Sequence, residues 1–257
     1  MRSIKYNTFT DKTSASSKQF ISIVESFEQA KERNETKIMA FRASKDKTMS
    51  KTADKLIDCR LHHRCNLLAC SVCLRRFRLK FLKRNIKKWQ QLYKRSPVYY
   101  VTCVLRVPTN TQTMSLLDLK GWFASHIAQY GFDKIPLIGG ADYSVNYDNN
   151  GKTWYICQHF HFLVALYKPD GFIQALKYAF PKGENVARPI RAEVIKDVEG
   201  LIKALNYTIP AFFEKHWRRL VNKHHRTKHY PLGNKQLCDL YKFLATNSPK
   251  DLMIKQG

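Results

Sequence analysis

Acidic residues are scarce in this chain: 20 Asp and Glu stand against 45 Lys and Arg in 257 residues, a formal charge of +25. So large an imbalance exceeds what solubility requires and predicts a polyanionic partner, nucleic acid ahead of an anionic membrane. No hydrophobic run approaches transmembrane length, and no basic amphipathic helix with a bulky apolar face stands alone, so no membrane partner is expected. The opening MRSIKYNTFTDKTS has no apolar stretch of the signal-peptide kind, which predicts a cytoplasmic protein with reduced thiols. No internal repeat is apparent. What remains is ordinary: 44% hydrophobic residues, enough for one main domain with smaller attachments.

Cysteine is unevenly spread. Four of the seven fall in CRLHHRCNLLACSVC, residues 59–73, a clustering that suggests metal ligation rather than disulfides. Cys70 and Cys73 form a C-x2-C knuckle, and Cys65 with Cys59, His62 or His63 would complete a tetrahedral structural Zn²⁺ site. Cys103, Cys157 and Cys238 are isolated and read as core or incidental. A basic helix is expected over 74–92, with Leu74, Phe77, Phe81, Ile86 and Trp89 along its apolar stripe. Its other faces carry Arg75, Arg76, Arg78, Lys80, Lys83, Arg84, Lys87 and Lys88. These residues, with Arg218 and Arg219 of the basic segment 215–228, are candidate DNA contacts. Trp217 and the Tyr99–Tyr100 pair are candidates for stacking on unpaired bases.

Four segments are predicted. Residues 1–56 form a polar arm, mobile or ordered on binding except for one amphipathic helix over 18–33. Residues 57–96 hold the zinc-binding cluster and basic helix, 97–210 a core, and 211–257 a basic helical tail. Within the core the patterns read as strand 98–107, helix 115–130, strands 138–147 and 152–166, helix 170–180, strand 188–195 and helix 198–207. The Asn-Asn-Gly between the middle strands is a hairpin signal. The order β-α-β-β-α-β-α predicts an α+β fold, a ferredoxin-like split βαβ with a central antiparallel sheet and one trailing helix.

In that topology the third strand, WYICQHFHFLVAL, is central. Side chains alternate along a strand, so His159 and His161 share one face while Phe160 and Phe162 point to a core. The pair reads either as metal ligands or as packed histidines. Asp142, the only carboxylate on the partnering strand, is the candidate third ligand, with Ser144 and Asn146 on its face. Two imidazoles and a carboxylate with open positions suit Mn²⁺ or Mg²⁺ bound also to phosphate. Tyr207, ending the trailing helix, is the candidate nucleophile, with Lys203 one turn back to lower its pKa. Tyr178 is the competing tyrosine.

Residues 140–165, GADYSVNYDNNGKTWYICQHFHFLVA, resemble the metal-motif region of rolling-circle replication initiators, the plasmid Rep proteins of the HUH endonuclease superfamily. The resemblance covers about residues 59–210 and rests on Gln158-His159-Phe160-His161-Phe162-Leu163, the strand with Asp142 and the helix ending at Tyr207. Similar cysteine groups followed by an Arg-rich helix precede the core in plasmid Rep proteins. The resemblance implies attack by Tyr207 on a single-stranded or hairpin DNA origin, a 5′-phosphotyrosine, and a 3′ hydroxyl that primes copying by host helicase and polymerase. Some members carry a glutamate where this chain has Lys203, and others a lysine where it has Pro210, so the route to termination differs. A single-strand DNA transposase or mobilisation relaxase would use the same chemistry. A zinc-containing DNA-binding repressor would need neither the paired histidines nor the tyrosine.

Overall fold

The computed structural model describes residues 24–60, 62–105, 115–147, 154–183, 186, 188–210, 213–221 and 224–256, with backbone alone for 214–221 and 224–229. In chain order the elements begin with α1 (Phe27–Ala43), α2 (Lys47–Ile57), α3 (Ser71–Arg95), β1 (Val98–Val104), α4 (Leu116–Gln129), β2 (Leu137–Tyr147) and β3 (Trp154–Ala165). They continue through α5 (Asp170–Ala179), β4 (Ile190–Val194), α6 (Val198–Tyr207), β5 (Glu214–Val221), β6 (His224–Tyr230), α7 (Asn234–Leu244), a 3-10 turn and β7 (Met253–Gln256). Two compact units result: Met1–Lys83 with Gly233–Lys250, and Arg84–Leu232 with Asp251–Gly257. Among the described residues no helix is long and apolar enough to cross a membrane.

The second unit is α+β. Its sheet runs β4-β1-β3-β2-β5-β6, with β7 also on β2. The first four strands pair antiparallel throughout, as expected from the element order. The outer edge of β2 is shared: Leu137–Gly140 pair with β7, and Ser144–Asn146 pair parallel with β5. Phe160 and Phe162 are fully buried and meet Phe123 of α4 at ring-centroid distances of 4.5 and 5.4 Å. Phe172 of α5 lies edge-on to Phe162. Both helices therefore cover the phenylalanine face of β3, and the histidine face is left for other elements. Ser115 caps α4, and Gly131, at φ 75°, closes it in a left-handed conformation suited to glycine.

The expected basic helical tail over 211–257 is corrected. Its basic stretch forms the β5–β6 ribbon, and among the described residues of the tail the helical parts are Asn234–Leu244 and the 3-10 turn Pro249–Leu252. Arg218 and Arg219 lie on β5, but their side chains, like that of Trp217, lie outside the described residues. The hairpin signal at 148–151 and residues 106–114 are likewise outside them.

In the first unit Ser26 opens α1 with a capping box to Gln29, so the helix expected over 18–33 begins at Phe27 and extends beyond it. Residues 1–23 lie outside the described set. The arm expected to be mobile is folded over its second half, because Phe41, Met49, Ala53 and Leu56 are fully buried. Met49, Ala53 and Leu56 recur at helical spacing, although Lys, Ser and Thr dominate the segment around them. Phe41 meets Tyr241 of α7 edge-on at 5.7 Å.

Two expected DNA contacts are corrected as well. Arg75 and Arg78 are buried. The first donates to the Glu25 carbonyl at 2.8 Å, and the second forms an ion pair with the Glu25 carboxylate. A guanidinium held this way is structural. By contrast Arg76, Lys80, Lys83, Arg84, Lys87 and Lys88 are exposed, and their i, i+4, i+7, i+8, i+11, i+12 spacing puts them on one face of α3. Removing one partner of a buried pair strands the other charge. Glu25→Ala is expected to lower the free energy of unfolding by about 3–5 kcal/mol, read from urea denaturation, whereas Arg76→Ala should leave it nearly unchanged.

Candidate metal centre and tyrosine

Register assembles the site. Asp142 sits opposite His159, and Gly140 opposite His161, across the β2–β3 ladder. Thr102 sits opposite His161 on the other side, across β1–β3. Residues directly opposite share a face, so Tyr100, Thr102, Gly140, Asp142, His159 and His161 occupy one surface of the sheet.

The carboxylate is the hub. Asp142 Oδ2 lies 3.0 Å from His159 Nε2 and 3.4 Å from His161 Nε2. Its Oδ1 accepts from the Tyr143 N–H at 2.7 Å. Both histidines are buried, and their ligand atoms lie with that of Asp142 within 4.8 Å of one another. Donors at about 2.1 Å from one ion stand roughly 3.0–3.4 Å apart, so the spacing and the N,N,O set fit a divalent cation. Ser144 and Asn146 share the face but bond to each other, Asn146 Nδ2 donating to Ser144 Oγ at 2.9 Å.

Charge in this cluster is asymmetric. Burial pushes the Asp142 carboxyl up, but the His159 charge and hydrogen bonds from both imidazoles outweigh it and hold the group well below the usual carboxylate range. Burial pulls His159 down, yet the Asp142 carboxylate more than compensates and raises it to about 10. For His161 burial wins and the pKa falls. The metal-free cluster is thus an Asp142 carboxylate with a protonated His159 and a neutral His161.

His161 has a second set of partners. Its Nδ1 lies 2.7 Å from the Tyr100 hydroxyl and 3.0 Å from Thr102 Oγ1. The Tyr100 and His161 rings are parallel, 5.9 Å apart. Cys157, two residues before His159 on the same face of β3, is a further influence that raises the His159 pKa.

Tyr207 comes to this face at the end of α6. Its ring stands edge-on to His161 at 5.5 Å and to Tyr100 at 6.1 Å, and it is 62% exposed, open to a ligand. Gly140 makes the approach possible: a Cβ there would lie 2.8 Å from the Thr208 carbonyl oxygen, 3.0 Å from Ile209 Cδ1 and 3.1 Å from the Leu252 carbonyl oxygen. Any side chain at 140 would push the chain that leaves Tyr207 off the sheet. Lys203, expected to assist the phenol, has its ammonium 2.5 Å from Glu199 in an exposed i, i+4 pair. Tyr178, the rival tyrosine, is exposed on α5, which covers the opposite face of the sheet, and it stacks with Tyr130 at 6.4 Å. Of the two candidate nucleophiles, Tyr207 is the one that stands beside the histidines.

The first unit holds the other cluster. The sulfurs of Cys59 and Cys73 are 3.5 Å apart, Cys59 and Cys70 3.7 Å, Cys65 and Cys73 3.8 Å. Thiolates at about 2.3 Å from a tetrahedral ion stand about 3.8 Å apart, so the four sulfurs are compatible with a structural zinc. Hydrogen bonds from Cys65, Cys70 and Cys73 hold Cys59 well below the thiol range. His62 and His63, the possible substitutes, are exposed. Buried Lys37 donates to the Ala69 carbonyl at 3.0 Å and to Ser71 Oγ at 2.9 Å, on either side of Cys70 in the chain.

Thr102, Gly140 and Cys157 were not among the expected site residues, and Tyr100 was expected to stack on bases, not to meet a histidine. The signal for Tyr100 and Thr102 was present in the alternation of β1, which sets both on one face, but it acquires meaning only once β1 is paired with β3. Compared with protein-family models, curated proteins and solved structures, the chain finds no match.

A cation entering the Asp142 site must displace the His159 proton. His159 is raised to about 10, so metal affinity should increase about tenfold per pH unit between roughly pH 7 and 9, with one proton released per ion. Calorimetric Mn²⁺ titrations in buffers of different ionisation enthalpy would measure this. The ion pair's own contribution to stability runs the other way: it is full below about pH 6.5 and is lost as pH rises through the folded value.

Proposed function

We propose that the protein is a metal-dependent endonuclease and strand transferase of the HUH type, which nicks and rejoins single-stranded DNA at an origin and so initiates rolling-circle replication of a plasmid or phage. One observation carries the reading: Tyr207 stands edge-on to His161, and His161 converges with His159 on a single Asp142 oxygen. A sheet order of β4-β1-β3-β2 with helices between its strands is the order of a ferredoxin-like core. That supports the resemblance in fold as well as in motif.

Each group then has a task. Asp142, His159 and His161 would hold Mn²⁺ or Mg²⁺, which would supply Lewis-acid polarisation of a phosphoryl oxygen and neutralise charge that develops during attack. The Tyr207 oxygen attacks phosphorus, a P–O bond to Tyr207 forms, and the P–O3′ bond breaks. The phenol proton is lost to solvent and the departing 3′ oxygen takes one up, leaving a 5′-phosphotyrosine and a free 3′ hydroxyl. Rejoining reverses the step. The exposed cations of α3, from Arg76 to Lys88, position the phosphate backbone without reading sequence. The four cysteines would hold Zn²⁺ and so brace the segment from which α3 starts. Host helicase and polymerase use the exposed 3′ end.

Two experiments test this. Incubated with single-stranded origin DNA and Mn²⁺, the wild type should form a covalent adduct that mass spectrometry maps to Tyr207. Tyr207→Phe should abolish it while salt-sensitive DNA binding persists. An adduct on Tyr178 would displace the nucleophile, and tight binding with no adduct is the behaviour of a repressor. Purified protein should also carry about one zinc through the cysteines, and Cys59→Ser should release it and lower the melting temperature. A folded, zinc-free wild type would remove that part of the proposal.

A further inference from the structure

We infer that Tyr100 is a positioning residue that aligns both halves of the site, its hydroxyl fixing the His161 ring and its ring edge seating Tyr207. The second half rests on the function proposed above, and the first does not.

The hydroxyl argument begins with His161 itself. Its Nε2 faces Asp142 at 3.4 Å, which is the atom that must be free of a proton to ligate a cation. When Nε2 is given to a cation, the proton of the neutral ring sits on Nδ1, and on a buried ring that N–H needs an acceptor. The Tyr100 and Thr102 oxygens, at 2.7 and 3.0 Å, are placed to accept it. Together they hold the Nδ1 edge and stop the ring from turning, the task usually given to a carboxylate or carbonyl behind a metal-bound imidazole.

The ring argument concerns the nucleophile. Tyr207 is mostly exposed, and an exposed aromatic samples several rotamers unless a neighbour limits it. Tyr100 and His161 lie parallel, and Tyr207 sets its ring nearly perpendicular to both, at 82° and 81°. Edge-to-face contact with two aligned rings defines the plane in which the Tyr207 oxygen can move. Gly140 keeps the other side open for the chain beyond Tyr207. With Tyr100 removed, the phenol would lose a surface that orients it, while the metal ligands would remain.

Three variants separate the two roles. Tyr100→Phe keeps the ring and leaves Thr102 as acceptor, so Mn²⁺ affinity should fall roughly tenfold. The double variant Tyr100→Phe, Thr102→Val should lose roughly a hundredfold. The His161 ¹⁵N shifts should show loss of the hydrogen bonds at Nδ1 in the double variant. Tyr100→Leu removes the ring. At saturating Mn²⁺ its kcat for DNA cleavage should drop at least tenfold with KM for DNA unchanged, whereas Tyr100→Phe should cleave near the wild-type rate. Wild-type Mn²⁺ affinity and ¹⁵N shifts in the double variant would overturn the hydroxyl role. Equal saturated rates for Tyr100→Leu and Tyr100→Phe would overturn the ring role. If the wild type forms no tyrosine adduct, the nuclease reading fails and the ring role falls with it. The ¹⁵N measurement still decides the hydroxyl role by itself.

Discussion

Everything at the candidate site depends on the register of β3 between its two neighbours. The side-chain period of a strand is two, so a slip of one residue would carry His159 and His161 into the space of Phe160 and Phe162 and bring the phenylalanines to the surface. The slip is opposed from the other face. Phe160 and Phe162 are fully buried against Phe123, and Phe172 closes on Phe162. Burying two such rings contributes roughly 3–6 kcal/mol in total, more than any polar contact across the ladder. The apolar face therefore fixes the geometry of the polar one. Asp142 meets His159, and Thr102 meets His161, on a face that the buried phenylalanines protect from any one-residue slip.

A second constraint brings α6 onto that surface. Helix and sheet can approach closely only where the sheet is small, and at Gly140 it is. A Cβ would be only 2.8 Å from the Thr208 carbonyl oxygen, and backbone on both sides gives it no flexible neighbour to displace. The absence of a side chain directly opposite His161 is thus tied to the presence of Tyr207 beside it. The helix itself is ordinary: Asp197 caps it, and Leu201, Ile202 and Leu205 bury its apolar side. That packing turns Tyr207 outward, leaving its ring largely exposed beside the histidine.

Much of this was legible along the chain, and the part that was not has a common cause. Period-two alternation in β3, the end of α6 at Tyr207 and the spacing of the four cysteines are local signals, and each is matched by the structure. The failures are non-local. Arg75 and Arg78 look like the other cations of α3 until Glu25 is placed, and Glu25 lies 50 and 53 residues earlier. The segment of β5 and β6 has the charge of a solvated helix, but the free edge of β2 recruits it as a ribbon. The same edge takes β7 from the far end of the chain. Tyr100 and Thr102 are two polar-tipped residues on a strand until β1 is laid against β3. Pairing partners, not propensities, supply the missing information.

Asp142 shows how the metal-free protein can hold a metal site in shape. A carboxylate buried beside two imidazoles needs positive charge near it, and two sources are available. A proton on His159 is one, which is why that imidazole is raised to about 10. A divalent cation is the other, and it would lie among the same three donors. The hydrogen-bond distances of 3.0 and 3.4 Å are close to the separations that the donors would have around an ion. Exchanging proton for cation therefore requires little movement of β2 or β3, and the affinity of the site is limited by competition with the proton rather than by reorganisation of the sheet. The neutral His161, already held at Nδ1 by Tyr100 and Thr102, need only move its ring proton from Nε2 to Nδ1, with no change of charge. Of the two histidines, His161 is the prepared ligand and His159 the one that must first give up a proton.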